Sequence, residues 1–172
     1  MRRFGNGLTV LIKEDKSHPV VSLQYWVGTG SMNEGHWQGS GLSHLLEHLV
    51  FKGTAHFSGQ ELARKVQERG GHWNAYTSVN RTVYYIDGPA ESWQIFLNLL
   101  TELVFFPTFL YKRHIKGVAV KMYNCIKALN KFMKCHKYIC FIIKIFSKPL
   151  CITKFISGVI HATNKVNNTV FP

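Results

Sequence analysis

Between residues 8 and 105 the spacing of apolar side chains switches repeatedly between a strand-like and a helical period, and that order leaves few architectures open. Residues 8–12 (LTVLI) and 20–27 (VVSLQYWV) are rich in β-branched residues and read as strands, the second mostly buried; Asn6-Gly7 marks a turn before the first. Leu42, Leu45, Leu46, Leu49 and Val50 then recur at helical spacing through Phe51. Gly39-Ser40-Gly41 opens this helix, with Ser40 expected as its N-cap, and Gly53 closes it. A second helix is expected over 58–69, because Ser58-Gly59-Gln60-Glu61 makes a capping box and Gly70-Gly71 stops the helix. Residues 72–78 and 82–87 read as strands joined by a turn at Val79, Asn80 and Arg81. A third helix is expected over 90–105, with Trp93, Phe96, Leu97, Leu100 and Leu103 inward and Pro107 ending it. The order β-β-α-α-β-β-α predicts an α+β fold, a mainly antiparallel sheet covered by helices on one side.

Charge divides the chain more sharply than hydropathy does. The net charge is +12, yet residues 1–102 hold nine basic and nine acidic side chains, so they are neutral. Residues 103–172 hold twelve Lys and Arg, all four cysteines, and no Asp or Glu. A globular stretch normally mixes both signs. Two sequence regimes therefore meet near residue 109: a domain over 1–109, and a divergent basic tail over 110–172, read as disordered or non-native sequence. Residues 115–129 have some helical character, and beyond Lys131 no period assigns an element. The longest apolar run, 138–146, contains Lys144 and is far short of a membrane span. No signal or transit peptide is visible, and the cysteine spacings match no common zinc framework.

The chemistry concentrates in His44-Leu45-Leu46-Glu47-His48. Residues four apart on a helix project from one face, one turn apart, so two imidazole nitrogens can share a zinc ion. Glu47, on the flank of that face, can take a proton from water beside the metal. The order is the reverse of HExxH, the inverzincin order. The competing reading is two surface histidines and a solvated glutamate on an ordinary helix. An otherwise apolar helix argues against it, because a charged Glu47 there needs a partner. His18, His36, His56 and His72 read as ordinary loop or surface residues.

The stretch GLSHLLEHLVFKGT at 41–54 resembles the active-site signature of the pitrilysin/insulinase family of zinc metallopeptidases. The likeness is greatest to the branch containing the mitochondrial processing peptidase β-subunit and its bacterial relatives. The flanks agree: GTGSMNE at 28–34 is similar to the turn before the active-site helix, GGHWNAYT at 70–77 to the family's edge strand, and TVYY at 82–85 to its partner. The resemblance covers about residues 4–109. It implies Zn2+ held by His44 and His48, with Glu47 as general base. It also implies a peptide substrate that adds as a strand alongside Asn74, Ala75, Tyr76 and Thr77; a plain edge strand is the equal alternative. Members of the family close several such domains around the peptide, so a further domain or subunit is expected to complete the cleft.

One departure is plain. The resemblance implies a third metal ligand, a glutamate on a later helix, in a window that here reads Lys121-Met122-Tyr123-Asn124-Cys125, and no carboxylate follows Glu102. Three explanations compete: a truncated or mis-spliced product, an inactive homologue, or substitution by Cys125 or His114. The first fits best, because composition and family likeness change at nearly the same place. The function expected is a zinc metalloendopeptidase domain incomplete in this chain, against a catalytically inactive fragment or subunit that keeps the fold. A basic protein using its tail on nucleic acid or anionic membrane is a third class, but no nucleic-acid partner is expected.

Overall fold

The side chains of residues 20–27 alternate strictly: Val21, Leu23, Tyr25 and Val27 are buried, while Ser22, Gln24 and Trp26 are only half-buried. This period-two burial is what a sheet covered on one face requires. In the computed structural model, which describes residues 1–3, 8–15, 17–108 and 139–145, that strand is β3 of a six-stranded sheet. The elements are β1 (Arg2–Arg3), β2 (Thr9–Glu14), β3 (Val20–Val27), α1 (Leu42–Val50), α2 (Gly59–Gln67), β4 (His72–Thr77), β5 (Thr82–Pro89), α3 (Trp93–Phe105) and β6 (Ile139–Ile145). Their spatial order is β1-β2-β6-β3-β5-β4. Every pairing is antiparallel except β2 with β6. The α+β class therefore stands, and the expected element order holds over residues 9–105, with β1 added before it and β6 after it.

Two expectations need correction. The first two expected strands, β2 and β3, are not neighbours: a strand whose sequence has no clear period, β6, lies between them, parallel to β2 from Thr9↔Cys140 and antiparallel to β3 from Val21↔Ile145. This strand comes from the run to which no element was assigned. Its near-continuous apolar sequence lacks alternation, which is the pattern of a strand covered on both faces and is ambiguous by period alone. The second correction concerns α1. Ser40 is not its N-cap; Gly41 is, at φ 74°, with no side-chain cap of its own. The expected turn at Asn6-Gly7 and helical character over 115–129 lie outside the described residues.

Helices α1 and α2 pack on β4, and α3 packs on β3 and β5. The core between them is built around Tyr25, Tyr84 and Phe96, with Leu23, Leu62, Ile86, Leu100 and Leu103 also fully buried. Burying one such side chain contributes about 1.5–3 kcal/mol. Tyr25 meets Phe105 edge-on at 5.4 Å, and its hydroxyl lies 3.1 Å from the Thr101 hydroxyl. Burial raises the Tyr25 phenol above its usual range, so it stays protonated. The α2 capping box forms as expected: Ser58 Oγ accepts from the Glu61 N–H at 3.2 Å, and Glu61 Oε2 accepts from the Ser58 N–H at 2.8 Å. The helix ends at Gln67, and Gly70, at φ 69°, closes the turn that follows it, its N–H donating to the Gln67 carbonyl at 2.9 Å.

Gly30 fixes the long β3–α1 connection against the β4–β5 turn. The Ser31 and Met32 N–H groups donate to the Ser78 and Val79 carbonyls at 3.2 and 2.9 Å. A Cβ on Gly30 would sit 2.2 Å from the Ser78 carbonyl oxygen. Gly30→Ala is therefore expected to lower stability by about 1–3 kcal/mol, read from the urea unfolding midpoint.

Glu61 gives a pH signature. Its carboxyl is lowered from 4.5, first by the hydrogen bond from the Ser58 backbone N–H. A carboxylate lowered on folding stabilises above its unfolded value and loses that contribution as pH falls through the folded one. Glu61→Gln is expected to unfold at lower urea than the parent at neutral pH. The gap should close on acidification below 4.5.

Candidate metal centre

Helix α1 turns a mixed stripe toward the sheet: Ser43, Leu46, Glu47 and Val50 are buried, at the i, i+3, i+4, i+7 spacing of one helical face. His44, Leu45 and His48 are exposed. The two histidines therefore stand together at the solvent edge, while the glutamate between them in sequence lies in the core-facing stripe.

The imidazoles converge. Nε2 of His44 and Nε2 of His48 are 3.0 Å apart, with ring centroids at 4.5 Å and planes inclined by 50°. Two bare lone pairs at that distance repel, so the arrangement suits either one N–H···N hydrogen bond or a shared cation. Tetrahedral zinc with nitrogen ligands at about 2.0–2.1 Å holds two of them about 3.3 Å apart. The pair thus fits two corners of a zinc site after a small outward adjustment. Among the described residues no group of three or more His, Cys, Asp or Glu is gathered as a metal cluster, so the described residues supply no third corner. His114, Cys125 and the 121–125 window lie outside the described residues.

Glu47 is only 7% exposed, and its Oε2 accepts a 2.6 Å hydrogen bond from Thr77 Oγ1. Thr82 Oγ1, 3.4 Å from Thr77 Oγ1, donates to the Thr29 carbonyl at 2.9 Å. Tyr84 lies behind them; burial first, and the Glu47 charge second, push its phenol above the usual range, so it stays protonated. A neighbouring ring pair, Phe51 edge-on to Trp73 at 4.9 Å, fastens the end of α1 to β4.

Among the described residues β4 is the terminal strand of the sheet, with β5 as its neighbour. Asn74 and Tyr76 are exposed on its outer face, and Ala75 and Thr77 turn toward the helices, half-buried. Asn74 Oδ1 accepts from the Ala75 N–H at 2.8 Å, so an incoming strand that pairs with that amide has to displace this side chain. The structure thus brings Thr77 to Glu47, and leaves Asn74 and Tyr76 facing away from the helices. Sequence reasoning missed Glu34. It is buried, and its Oε1 accepts from the Ser43 N–H at 2.9 Å, nine residues along the chain. No short-range spacing rule connects the two positions.

The family model described as insulinase (peptidase family M16) matches residues 9–137, past the boundary drawn near residue 109. An uncharacterized zinc protease of Bacillus subtilis is 36% identical over 104 residues, 60% of this chain and 25% of that protein. The mitochondrial-processing peptidase subunit beta of Blastocladiella emersonii is 39% identical over 83 residues, 48% of this chain and 18% of its own length. Bovine cytochrome b-c1 complex subunit 1 is 34% identical over 102 residues, 59% and 21% of the two chains. The chain therefore spans about a quarter or less of these relatives. In structure it is similar to the peptidase M16 inactive domain of Pseudomonas fluorescens, with a TM-score of 0.74 and 15% identity, covering 95% of this chain and 49% of that one. At that identity the likeness concerns the fold.

The Thr77 hydroxyl is a testable support of the site. Thr77→Val leaves a buried carboxylate oxygen without its donor and is expected to cost about 1–3 kcal/mol in urea unfolding. Thr77→Ser, which keeps the hydroxyl, is expected to recover most of that loss.

Proposed function

Because the chain belongs to the insulinase family (peptidase family M16), we propose that its described core is the zinc-binding part of a metalloendopeptidase site. The observation that carries this reading is the paired imidazoles of His44 and His48, 3.0 Å apart, beside a glutamate buried one residue away. His44 and His48 are the metal ligands and Glu47 the general base. Zinc, when bound, supplies Lewis acidity that makes water easier to deprotonate at neutral pH. Thr77 occupies Oε2 of Glu47 and orients the carboxylate, leaving Oε1 to receive the proton. The peptide substrate adds as a strand at the β4 edge, alongside Asn74, Ala75, Tyr76 and Thr77.

Every proposed site residue falls within residues 1–109, the zinc-binding half-domain. The basic segment 110–172 is a divergent tail, although it lends the Ile139–Ile145 strand to the sheet. The half-site needs completing by a further domain or subunit. Met32, Trp37, Leu45, Tyr76 and Val79 are exposed, all on α1, β4 and the connections beside them, and apolar side chains left in solvent there suit a covering partner. Nothing in this reading calls for a nucleic acid. No described helix is long and apolar enough to cross a membrane.

A second reading is a catalytically inactive subunit that keeps the fold. The lack of any Asp or Glu after Glu102 favours it, since the third ligand has no carboxylate to come from. Similarity to bovine cytochrome b-c1 complex subunit 1 and to the peptidase M16 inactive domain of Pseudomonas fluorescens is compatible with it.

Metal analysis and a peptide assay separate the two readings. The purified protein, dialysed against zinc and desalted, is expected to retain zinc, as is Glu47→Gln. His44→Ala and His48→Ala are expected to lose it. Less than about a tenth of an equivalent in the parent removes the metallopeptidase reading, because bound metal is the property on which it depends. Zinc retained together with peptide hydrolysis no faster in the parent than in Glu47→Gln supports the inactive subunit.

A further inference from the structure

The start of α1 lacks a local cap, yet its second amide is satisfied from outside the helix. Gly41 at the N-cap has no side chain to offer, and Ser40 does not take that role. The Ser43 N–H donates instead to Glu34 Oε1 at 2.9 Å. Glu34 is 6% exposed and Ser43 2% exposed, and Glu34 Oε2 and Ser43 Oγ have no hydrogen-bond partner among the described residues. A buried carboxylate with one free oxygen is costly unless its remaining interactions compensate it. The positive end of α1 and the Ser43 amide are such interactions.

Glu34 is itself held in place. It ends the 3-10 turn Ser31–Asn33, and its own N–H donates to the Ser31 carbonyl at 3.3 Å. That turn is pinned to the β4–β5 turn by Ser31 and Met32, with Gly30 pressed against Ser78. Asn33 Oδ1 closes the segment by accepting from the Gly30 N–H at 3.0 Å. The Ser43 amide is thus fixed relative to the sheet by a short, well-bonded relay, and the residue after Ser43 is His44.

We propose that Glu34 is a positioning residue: it caps α1 from the preceding connection and so sets the placement of His44 and His48 relative to β4. It touches neither substrate nor metal. Two struts then hold the helix, Glu34 at its first turn and Thr77 through Glu47 one turn further on. The effect on metal binding rests on the function proposed above, whereas the cap itself does not.

The test measures amide hydrogen exchange at Ser43 and, in parallel, zinc affinity, in the full chain and in Glu34→Ala and Glu34→Gln. Glu34→Ala is expected to speed Ser43 exchange by about tenfold or more, while Glu34→Gln, which keeps an acceptor oxygen, stays within about threefold of the parent. Zinc affinity should follow the same order, weakened in Glu34→Ala and largely restored in Glu34→Gln, with the α3 amides unchanged. Equal Ser43 protection in all three proteins overturns the proposal, as does equal zinc affinity in the two variants with protection lost in one. If Glu34→Ala does not fold, the parent decides: a Ser43 amide that exchanges freely there overturns the cap. A parent that binds no zinc counts against the proposed function, and Ser43 exchange still judges Glu34.

Discussion

A single hydrogen bond, from Thr77 on the sheet edge to Glu47 on α1, ties the chemistry of this chain to its fold. Glu47 sits in the helix stripe that would ordinarily be all apolar, between Leu46 and Val50. A carboxylate in such a place must find a donor or give up its charge. Satisfying it from Thr77, with Leu46 and Val50 buried on the same face, sets the rotation of α1 about its own axis. Once Glu47 faces β4, helical geometry leaves no choice for the residues three before and one after it: His44 and His48 emerge side by side at the solvent edge. The imidazole pair is thus a consequence of where the carboxylate is held.

Local rules were enough wherever structure was decided locally. The Ser58–Glu61 box, the glycine stop at Gly70 and the inward residues of α3 all depend on positions within a turn or two, and each stands where spacing puts it. The imidazole pairing was legible for the same reason, since four residues on a helix are neighbours. What failed depended on distant partners. Ser40 looked like a cap because it is the right residue type in the right place. The carboxylate that serves α1 comes instead from Glu34, through a connection whose path depends on Gly30 fitting against Ser78. Ile139–Ile145 gave no period to read, and its place between β2 and β3 follows from pairing with strands far earlier in the chain. Thr77 was expected beside the substrate; only its side-chain direction shows that it also serves Glu47.

The proposed metal site is half built within the described residues. Two imidazoles and a held carboxylate are present, and the described residues bring no third ligand to them. Family membership and the short span of the curated relatives agree with a module whose remaining walls come from elsewhere. A bare pair of exposed histidines binds metal less tightly than a closed set of three. Rigid placement therefore carries unusual weight here, since it reduces the ordering cost of bringing both rings to one ion.

The claim that His44 and His48 share one zinc ion is tested most directly by X-ray absorption at the zinc edge on the zinc-loaded chain. The account predicts imidazole scattering from two rings at about 2.0–2.1 Å, reduced to one ring in His48→Ala. A shell of oxygen ligands alone, or a spectrum identical in the parent and His48→Ala, contradicts it.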